Sequence, residues 1–237
     1  MTLPFFHIEN IDNSNSTVVL DEDTSKHVVS VLRMKRTEQL HLTDGKGHLL
    51  TAEITNDHKK KCETKIVDVQ FTPVHARKIS IAISLVKNAT RFEWFLEKAT
   101  EIGITEIIPL ICERTGREHF RFDRMKNVLI SAMLQSRQVW LPILYEPVAF
   151  NAVVEQSGHL QKLIAHCADE NKKSLNAVVD KNCSSQIILI GPEGDFSKQE
   201  IEFAMQHQFV AVALGDTRLR TETAGMVAAT ILKMADF

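Results

Sequence analysis

Gln186-Ile187-Ile188-Leu189-Ile190-Gly191-Pro192-Glu193-Gly194, continued by Asp195-Phe196-Ser197-Lys198-Gln199-Glu200, is the stretch whose reading decides the fold. Gln186–Ile190 is a short apolar run of strand length that stops at a glycine. Gly191 and Gly194 let the backbone turn sharply and approach a ligand with no Cβ in the way. Ser197 with Glu200 is a capping box, which ties down the orphan amides of a helix start. The same order returns at Val210–Leu214, Gly215 and a helix over Thr221–Met234, with Thr221 or Thr223 placed to cap it. Upstream, Ile79–Val86, Glu106–Ile111 and Leu163–Cys167 read as further strands, the first apolar enough to be buried on both faces. Arg91–Ile102 repeats at the helical period, with Phe92, Phe95, Leu96, Ala99 and Ile102 on one face, and Leu129–Arg137 is a second helix. Strands alternating with helices specify an α/β domain with a mostly parallel sheet. Ligands bind beyond the carboxyl ends of such strands. The turns after Ile190 and Leu214 are therefore where a site is expected.

The chain ahead of Ile79 reads differently. Thr17–Leu20, Gln39–Thr43, Leu49–Ile54 and Thr64–Val69 are short runs rich in Val, Ile, Leu and Thr, with Asp44-Gly45 as a hairpin turn. One helical stretch interrupts them, from Thr24 through Val28, Val29 and Leu32 to Arg33-Met34. Short strands with tight turns predict a small β-barrel. Pro73, within Phe71–His75, breaks both periods and places a boundary between domains at 1–72 and 76–237.

Composition excludes several classes. The 237 residues are 44% hydrophobic and 24% charged, values of a globular protein rather than a disordered chain or a rod. No apolar run reaches the ~20 residues of a membrane span, and the start of the chain lacks the basic region and apolar core of a secretory signal. Cys62, Cys112, Cys167 and Cys183 form no C-x-x-C pair, which fits neither a zinc ribbon nor a disulfide scaffold and suits reduced thiols in the cytoplasm. The net charge of -2 offers no global attraction to nucleic acid. Residues 77–137, however, carry 11 Lys and Arg against 7 Asp and Glu, a basic middle between acidic flanks. That allows a local phosphate-binding surface or simply a set of solvated helix faces.

The common catalytic signatures are missing. There is no G-x-x-x-x-G-K-[ST], G-x-G-x-x-G, H-E-x-x-H or G-x-S-x-G, which argues against P-loop, dinucleotide, zinc-protease and α/β-hydrolase chemistry. His166-Cys167 resembles a thiol–imidazole pair, but adjacent residues on a strand point to opposite faces. Arg91, Trp94, Lys98 and Glu101 share the polar face of their helix, where two cations beside a Trp suit either a phosphate with a base or a solvated face. Arg114, Arg117, Arg121, Arg124 and Lys126, interleaved with Phe120 and Phe122, suit single-stranded RNA or a surface segment with two anchors.

Taken together, several segments resemble the RsmE family. They are Ile190-Gly191-Pro192-Glu193-Gly194, Ser197, Glu200, Leu214-Gly215 and Leu219-Arg220-Thr221-Glu222-Thr223-Ala224. Upstream, Lys87, Arg91, Glu97–Gly103, Gln135-Ser136, Leu141-Pro142, His27, Val31–Met34 and Asp44-Gly45 extend the likeness over nearly the whole chain. The resemblance implies an S-adenosylmethionine (SAM)-dependent methyltransferase acting on N3 of a uridine in small-subunit (16S) ribosomal RNA. It implies a PUA-like β-barrel that binds RNA over 1–72 and a SPOUT α/β domain with a trefoil knot over 76–237. It also implies a homodimer working on the RNA or the assembled small subunit, with no metal and no membrane. Carried over by position, the cofactor is wrapped by Ala165 and His166, by Leu189, Ile190, Gly191, Glu193 and Gly194, and by Leu214, Gly215, Leu219, Arg220 and Ala224. Arg220 and Glu222 become the catalytic candidates. Arg33, Arg91, Lys98, Gln135 and Arg137 become the RNA-binding ones.

Uracil N3 carries a proton, so a base must remove it or a cation must hold the anion. Arg220 suits the second task, while Glu222 suits a proton acceptor or a helix cap. This chain departs from the family pattern at Asp195, where a second glycine is usual, at Phe5, where a basic residue is usual, and at Arg137, which falls earlier than the usual arginine. Rival readings are another SPOUT activity such as ribose 2′-O methylation of ribosomal or transfer RNA, a non-catalytic ribosome-assembly factor, and an unrelated α/β hydrolase.

Overall fold

The computed structural model describes residues 3–9, 16–116, 119–168 and 172–235. It divides into two compact units, one of residues up to Val74 together with Met133–Leu141, the other of His75–Ala132 with Pro142 onward.

The first unit contains β1 (Phe5–His7), β2 (Thr17–Val19), α1 (Glu22–Lys26), β3 (Gln39–Thr43), β4 (His48–Asn56) and β5 (Glu63–Phe71). The strands pair in the order β1-β3-β4-β5-β2. The expected barrel takes the form of a curled sheet with β1 and β2 as its edges. Bulges in the β4–β5 ladder, near Thr51 and Ile54, sharpen its twist. The sheet closes over one core containing Phe6, Leu40, Leu42, Leu50 and Ile54, plugged by Val28 and Val29. Those two valines sit on a π-turn, His27–Val31, that continues α1. Arg33 ends it in the left-handed region at φ 59°.

Met133–Leu141 joins this unit rather than the domain in which the sequence reading places it. The loop between β3 and β4 recruits it: the Leu141 N–H donates to the Gly45 carbonyl at 2.8 Å and the Gly47 N–H to Val139 at 2.9 Å. Trp140 Nε1 donates to the Thr72 carbonyl at 2.9 Å.

The second unit opens with β6 (Lys78–Ser84), α2 (Ala89–Glu101), β7 (Glu106–Ile111), α3 (Phe122–Gln135, its end from Met133 counted with the first unit), β8 (Ile143–Leu144), β9 (Val148–Ala149), α4 (Phe150–Gln156) and β10 (Gln161–Ala165). It ends with β11 (Lys173–Ser174), α5 (Leu175–Val178), β12 (Ser185–Ile190), α6 (Lys198–Gln206), β13 (Val210–Ala213) and α7 (Thr221–Met234). Its parallel sheet runs β11-β13-β10-β12-β6-β7-β8, with β9 also on β7. The central strands are buried on both faces, as their unbroken apolar runs require. Phe92, Phe95, Leu96 and Ala99 of α2 are buried as their spacing predicts.

Two expected boundaries move. The helix expected over Leu129–Arg137 starts at Phe122 and stops at Gln135. Arg137 has turned left-handed at φ 58°, and the N–H groups of Arg137 and Gln138 cap the carbonyls of Leu134 and Met133, a Schellman end with arginine where glycine is usual. The strand expected over Leu163–Cys167 ends at Ala165, so His166 and Cys167 begin a loop.

Candidate active site

A parallel sheet leaves its carboxyl-end loops free to diverge, and here three of them enclose a cleft of about 720 Å3. Its walls are Ala165–Ala168 with Lys172 after β10, Ile190–Glu193 with Asp195 after β12, and Val212–Thr221 with Ala224 after β13. The floor is apolar, from Ile190, Val212, Ala213, Leu214 and Leu219. Its charged lining is Lys172, Arg218 and Arg220 with Glu193, Asp195 and Asp216.

The loop after β12 is the hub of this end of the sheet, and it works by side chains that take backbone groups of its neighbours. Glu193 Oε1 accepts the Lys87 N–H beyond β6 at 3.1 Å. Glu200 Oε1 accepts the Glu113 N–H beyond β7 at 2.8 Å. Asp195 Oδ2 accepts the Cys167 N–H beyond β10 at 2.8 Å. Thr221 Oγ1, at the head of α7, donates to the Gly191 carbonyl at 2.9 Å. Arg114 Nη1 donates to the Gly194 carbonyl at 2.9 Å. The capping box completes the hub: Ser197 N–H donates to Glu200 Oε2 at 2.8 Å and Glu200 N–H to Ser197 Oγ at 3.3 Å.

Two glycines answer two demands. A Cβ on Gly191 would come within 3.1 Å of the Phe196 ring that packs beneath it. Gly215 lies at φ 145°, a conformation strained for other residues, and a Cβ there would meet only open space.

The predicted cofactor residues Ala165, His166, Ile190, Gly191, Glu193, Leu214, Gly215, Leu219, Arg220 and Ala224 all line the cleft. Leu189 is fully buried in the core with Phe196 and Ile201 instead. Gly194 contributes its carbonyl to Arg114. The two catalytic candidates part company. Arg220 lines the cleft as the N-cap of α7, without a side-chain cap bond. Glu222 is buried on another side of the helix, its Oε1 3.7 Å from Arg91 Nε, because residues two apart on a helix face different ways. A carboxylate in the first turn also suits the helix dipole.

His166 is buried, and Lys172 Nζ reaches its carbonyl at 2.6 Å, the Ala168 carbonyl at 2.8 Å and His166 Nδ1 at 3.3 Å. Cys167 is exposed on the cleft wall, so the two residues do not act as a thiol–imidazole pair. The nearby Cys112 thiol is inert, pushed up to about 12 by burial and the Glu200 carboxylate.

The RNA candidates fall in both units. Arg33, Gln135 and Arg137 are exposed on the first unit. Arg91 and Lys98 belong to α2 of the second, each beside carboxylates: Arg91 with Glu222, Lys98 with Glu97 at 2.6 Å and Glu101 at 2.9 Å. Arg124 forks onto Glu93 at 2.6 and 3.0 Å. Phe120 packs edge-on against Phe92, an anchor rather than an exposed base platform. Arg117 lies outside the described residues. Sequence reasoning missed Lys172, Asp216 and Arg218 as cleft residues. The glycine before Asp216 signals the last two, whereas nothing local signals Lys172.

Comparisons with known proteins agree with this geometry. Residues 73–233 match the model of the RNA methyltransferase domain family, and residues 20–67 that of the RNA methyltransferase PUA domain. The ribosomal RNA small subunit methyltransferase E of Synechocystis is 30% identical, over 90% of this chain and 71% of its own. A putative methyltransferase of Legionella pneumophila, solved with bound SAM, is 29% identical at a TM-score of 0.88, covering 99% of this chain and 98% of its own. The ribosomal RNA small subunit methyltransferase E of Neisseria gonorrhoeae, solved with S-adenosyl methionine, is 28% identical at a TM-score of 0.87, covering 98% of each chain.

Proposed function

This chain belongs to the RNA methyltransferase family, among the ribosomal RNA small subunit methyltransferases E, and we propose that it methylates N3 of one uridine in small-subunit ribosomal RNA with SAM as donor. The observation that carries the reading is the carboxyl-end cleft, where two glycine loops meet and are stitched together through Thr221 and Gly191.

The cleft fits the cofactor. Its volume is that of a small-molecule site, about 300–1,000 Å3. The apolar floor suits an adenine ring. The rim carboxylates of Glu193, Asp195 and Asp216 suit an ammonium and a sulfonium, and Lys172, Arg218 and Arg220 suit a carboxylate. The open side of Gly215 leaves backbone within reach. When bound, SAM supplies a methyl group already activated by its sulfonium. The protein's work is then to align, to exclude water and to manage one proton. Alignment alone is worth about 7–11 kcal/mol when reacting atoms are held in line. N3 lies on the Watson–Crick edge, so the target uridine is unpaired or splayed out. Arg220, on the cleft rim, holds the negative charge that spreads over the uracil carbonyls as N3 gives its proton up to solvent. Glu222, turned to Arg91, keeps that arginine and the head of α7 in place.

Arg33 and Arg137 are the phosphate contacts that this reading favours, since both are exposed and thrown clear of their helices by a left-handed turn. The working form is a homodimer in the cytoplasm, on the RNA or the assembled small subunit. The chain path supports a knotted carboxyl end: β13 lies at one flank of the sheet, and α7 then turns back to pack on β6 and β12.

The test is methyl transfer from labelled SAM to small subunits lacking the mark, followed by digestion and mass identification of the nucleoside. 3-Methyluridine is expected. A ribose 2′-O-methylated nucleoside overturns the target atom. SAM binding without transfer to any ribosomal RNA favours the assembly-factor reading.

A further inference from the structure

β10 ends at Ala165, where its ladders to β12 and β13 also end. The next three residues, His166 to Ala168, lie beyond those ladders and form one wall of the cleft. They are held by two side chains of opposite charge. Lys172 Nζ takes the carbonyls of His166 at 2.6 Å and Ala168 at 2.8 Å. Asp195 Oδ2 takes the N–H between them, that of Cys167, at 2.8 Å.

Asp195 is itself fixed. Its backbone sits at φ 63°, which aspartate tolerates better than most residues. Its N–H closes a turn onto the Pro192 carbonyl at 2.9 Å, and its Oδ1 takes the Phe196 N–H at 2.9 Å. With Oδ1 on its own loop, its Oδ2 reaches across to the wall after β10 at the Cys167 N–H. A glycine here satisfies the turn and supplies no bridge.

We propose that Asp195 and Lys172 are positioning residues that clamp the 166–168 wall from both sides and so set the width of the cleft before the cofactor arrives. This rests on the reading of the cleft as a SAM site. The clamp spends no free energy of binding on ordering the wall, which is how a preformed site gains affinity.

The test compares wild type with Asp195→Gly, Asp195→Asn and Lys172→Met in the full chain. The first readout is hydrogen exchange of the Cys167 amide in protein without ligand. The second is the SAM dissociation constant by calorimetry, with KM and kcat alongside. A bond to a charged acceptor is worth roughly a tenfold change or more. Asp195→Gly is expected to speed Cys167 exchange about tenfold and to weaken SAM by a similar factor, with the loss falling on KM for SAM rather than on kcat. Asp195→Asn keeps an acceptor oxygen and is expected to recover most of both. Lys172→Met is expected to loosen the same segment. Unchanged exchange in Asp195→Gly overturns the clamp, whatever binds. Faster exchange with an unaltered SAM constant overturns its role towards the cofactor. Wild type that shows the exchange pattern yet binds no SAM overturns the cofactor reading itself, so the two failures are distinguishable.

Discussion

The two ends of the parallel sheet hold similar residue types and put them to opposite uses. At the carboxyl end, Glu193, Asp195 and Glu200 take backbone N–H groups from neighbouring loops and leave an open cleft between them. At the amino end, the acids and hydroxyls take one another. Ser80 Oγ donates to Glu106 Oε2 at 2.6 Å and lies 2.8 Å from His159 Nε2. Ser157 Oγ lies 3.1 Å from His159 Nδ1. Tyr145 donates to Glu106 Oε1 at 3.1 Å, and Lys78 Nζ lies 2.8 Å from the same oxygen. Serine, histidine and glutamate within reach of one another look like a nucleophilic triad, but the order is wrong. The acid touches the serine rather than the far nitrogen of the histidine, and Ser80 is 0% exposed. The lesson is that the direction of the strands, rather than the residue types, separates a site from a seal.

The sharpest way to break the comparison is to remove one group from each end. Arg220→Ala is expected to lower kcat about a hundredfold or more, the usual loss when one charge-stabilising donor is removed. Its unfolding midpoint in urea should stay at the wild-type value, because Arg220 makes no cap bond. Wild-type turnover would take Arg220 out of the reaction. Glu106→Ala should do the reverse. It removes the acceptor of buried Ser80, which keeps its contact with His159, and of the exposed Tyr145 and Lys78, and is expected to cost about 1–3 kcal/mol of stability. Methyl transfer per folded molecule should be retained. A fall in kcat with intact stability would mean that the amino end is no mere seal.

These contrasts also show what the chain announces locally. Strand, glycine, capping box and helix at 186–200 are neighbours in sequence, so both bonds of the Ser197–Glu200 box were legible in advance. The buried face of α2 was legible for the same reason. The hub bonds were not, because Glu193 to Lys87 or Asp195 to Cys167 joins residues far apart in the chain through backbone atoms that carry no residue code. β1, β8, β9 and β11 are two or three residues long, too short for any period to register. Arg33 and Arg137 hide their helix ends, since a left-handed cap is signalled by glycine and here an arginine fills it. Gln135 and Arg137 belong with the first unit because the segment they begin is joined to it by backbone bonds of Val139 with Gly47 and Leu141 with Gly45, which hydrophobic patterning does not report.

The amino-end seal makes a prediction in pH. Burial, then the charge on Lys78, lowers the His159 pKa, against a smaller opposing pull from Glu106. His159 is therefore neutral in the fold and must take up a proton on unfolding below its ordinary value. Its contribution is intact above about pH 6.5 and is lost as pH falls from there towards its lowered folded value, by at most about 1.4 kcal/mol per unit. For Glu106, burial would raise the carboxyl, but the Lys78 and Ser80 hydrogen bonds outweigh it and hold it below its ordinary value. Its share is lost only at lower pH. Urea titrations between pH 6.5 and 5 should therefore show a shallower loss in His159→Gln than in wild type. The difference between the two slopes isolates this residue from His41, which burial and Arg137 also lower. Equal slopes would mean that His159 takes up its proton in the fold as readily as in the unfolded chain.

The smallest effect lies back at the cleft. Thr221→Val keeps the shape of the side chain and deletes the hydroxyl that reaches the Gly191 carbonyl at 2.9 Å. Both groups are buried, so the carbonyl is left without that donor, at a cost of about 1 kcal/mol. At the amino end such a loss would appear as stability alone. Here it joins the head of α7 to the loop after β12, so part of it should appear as a severalfold rise in KM for SAM, with Arg220 still in place and kcat little altered. A stability loss with no change in KM would mean that the two glycine loops hold their places independently, and that the stitch between them serves the fold rather than the cleft.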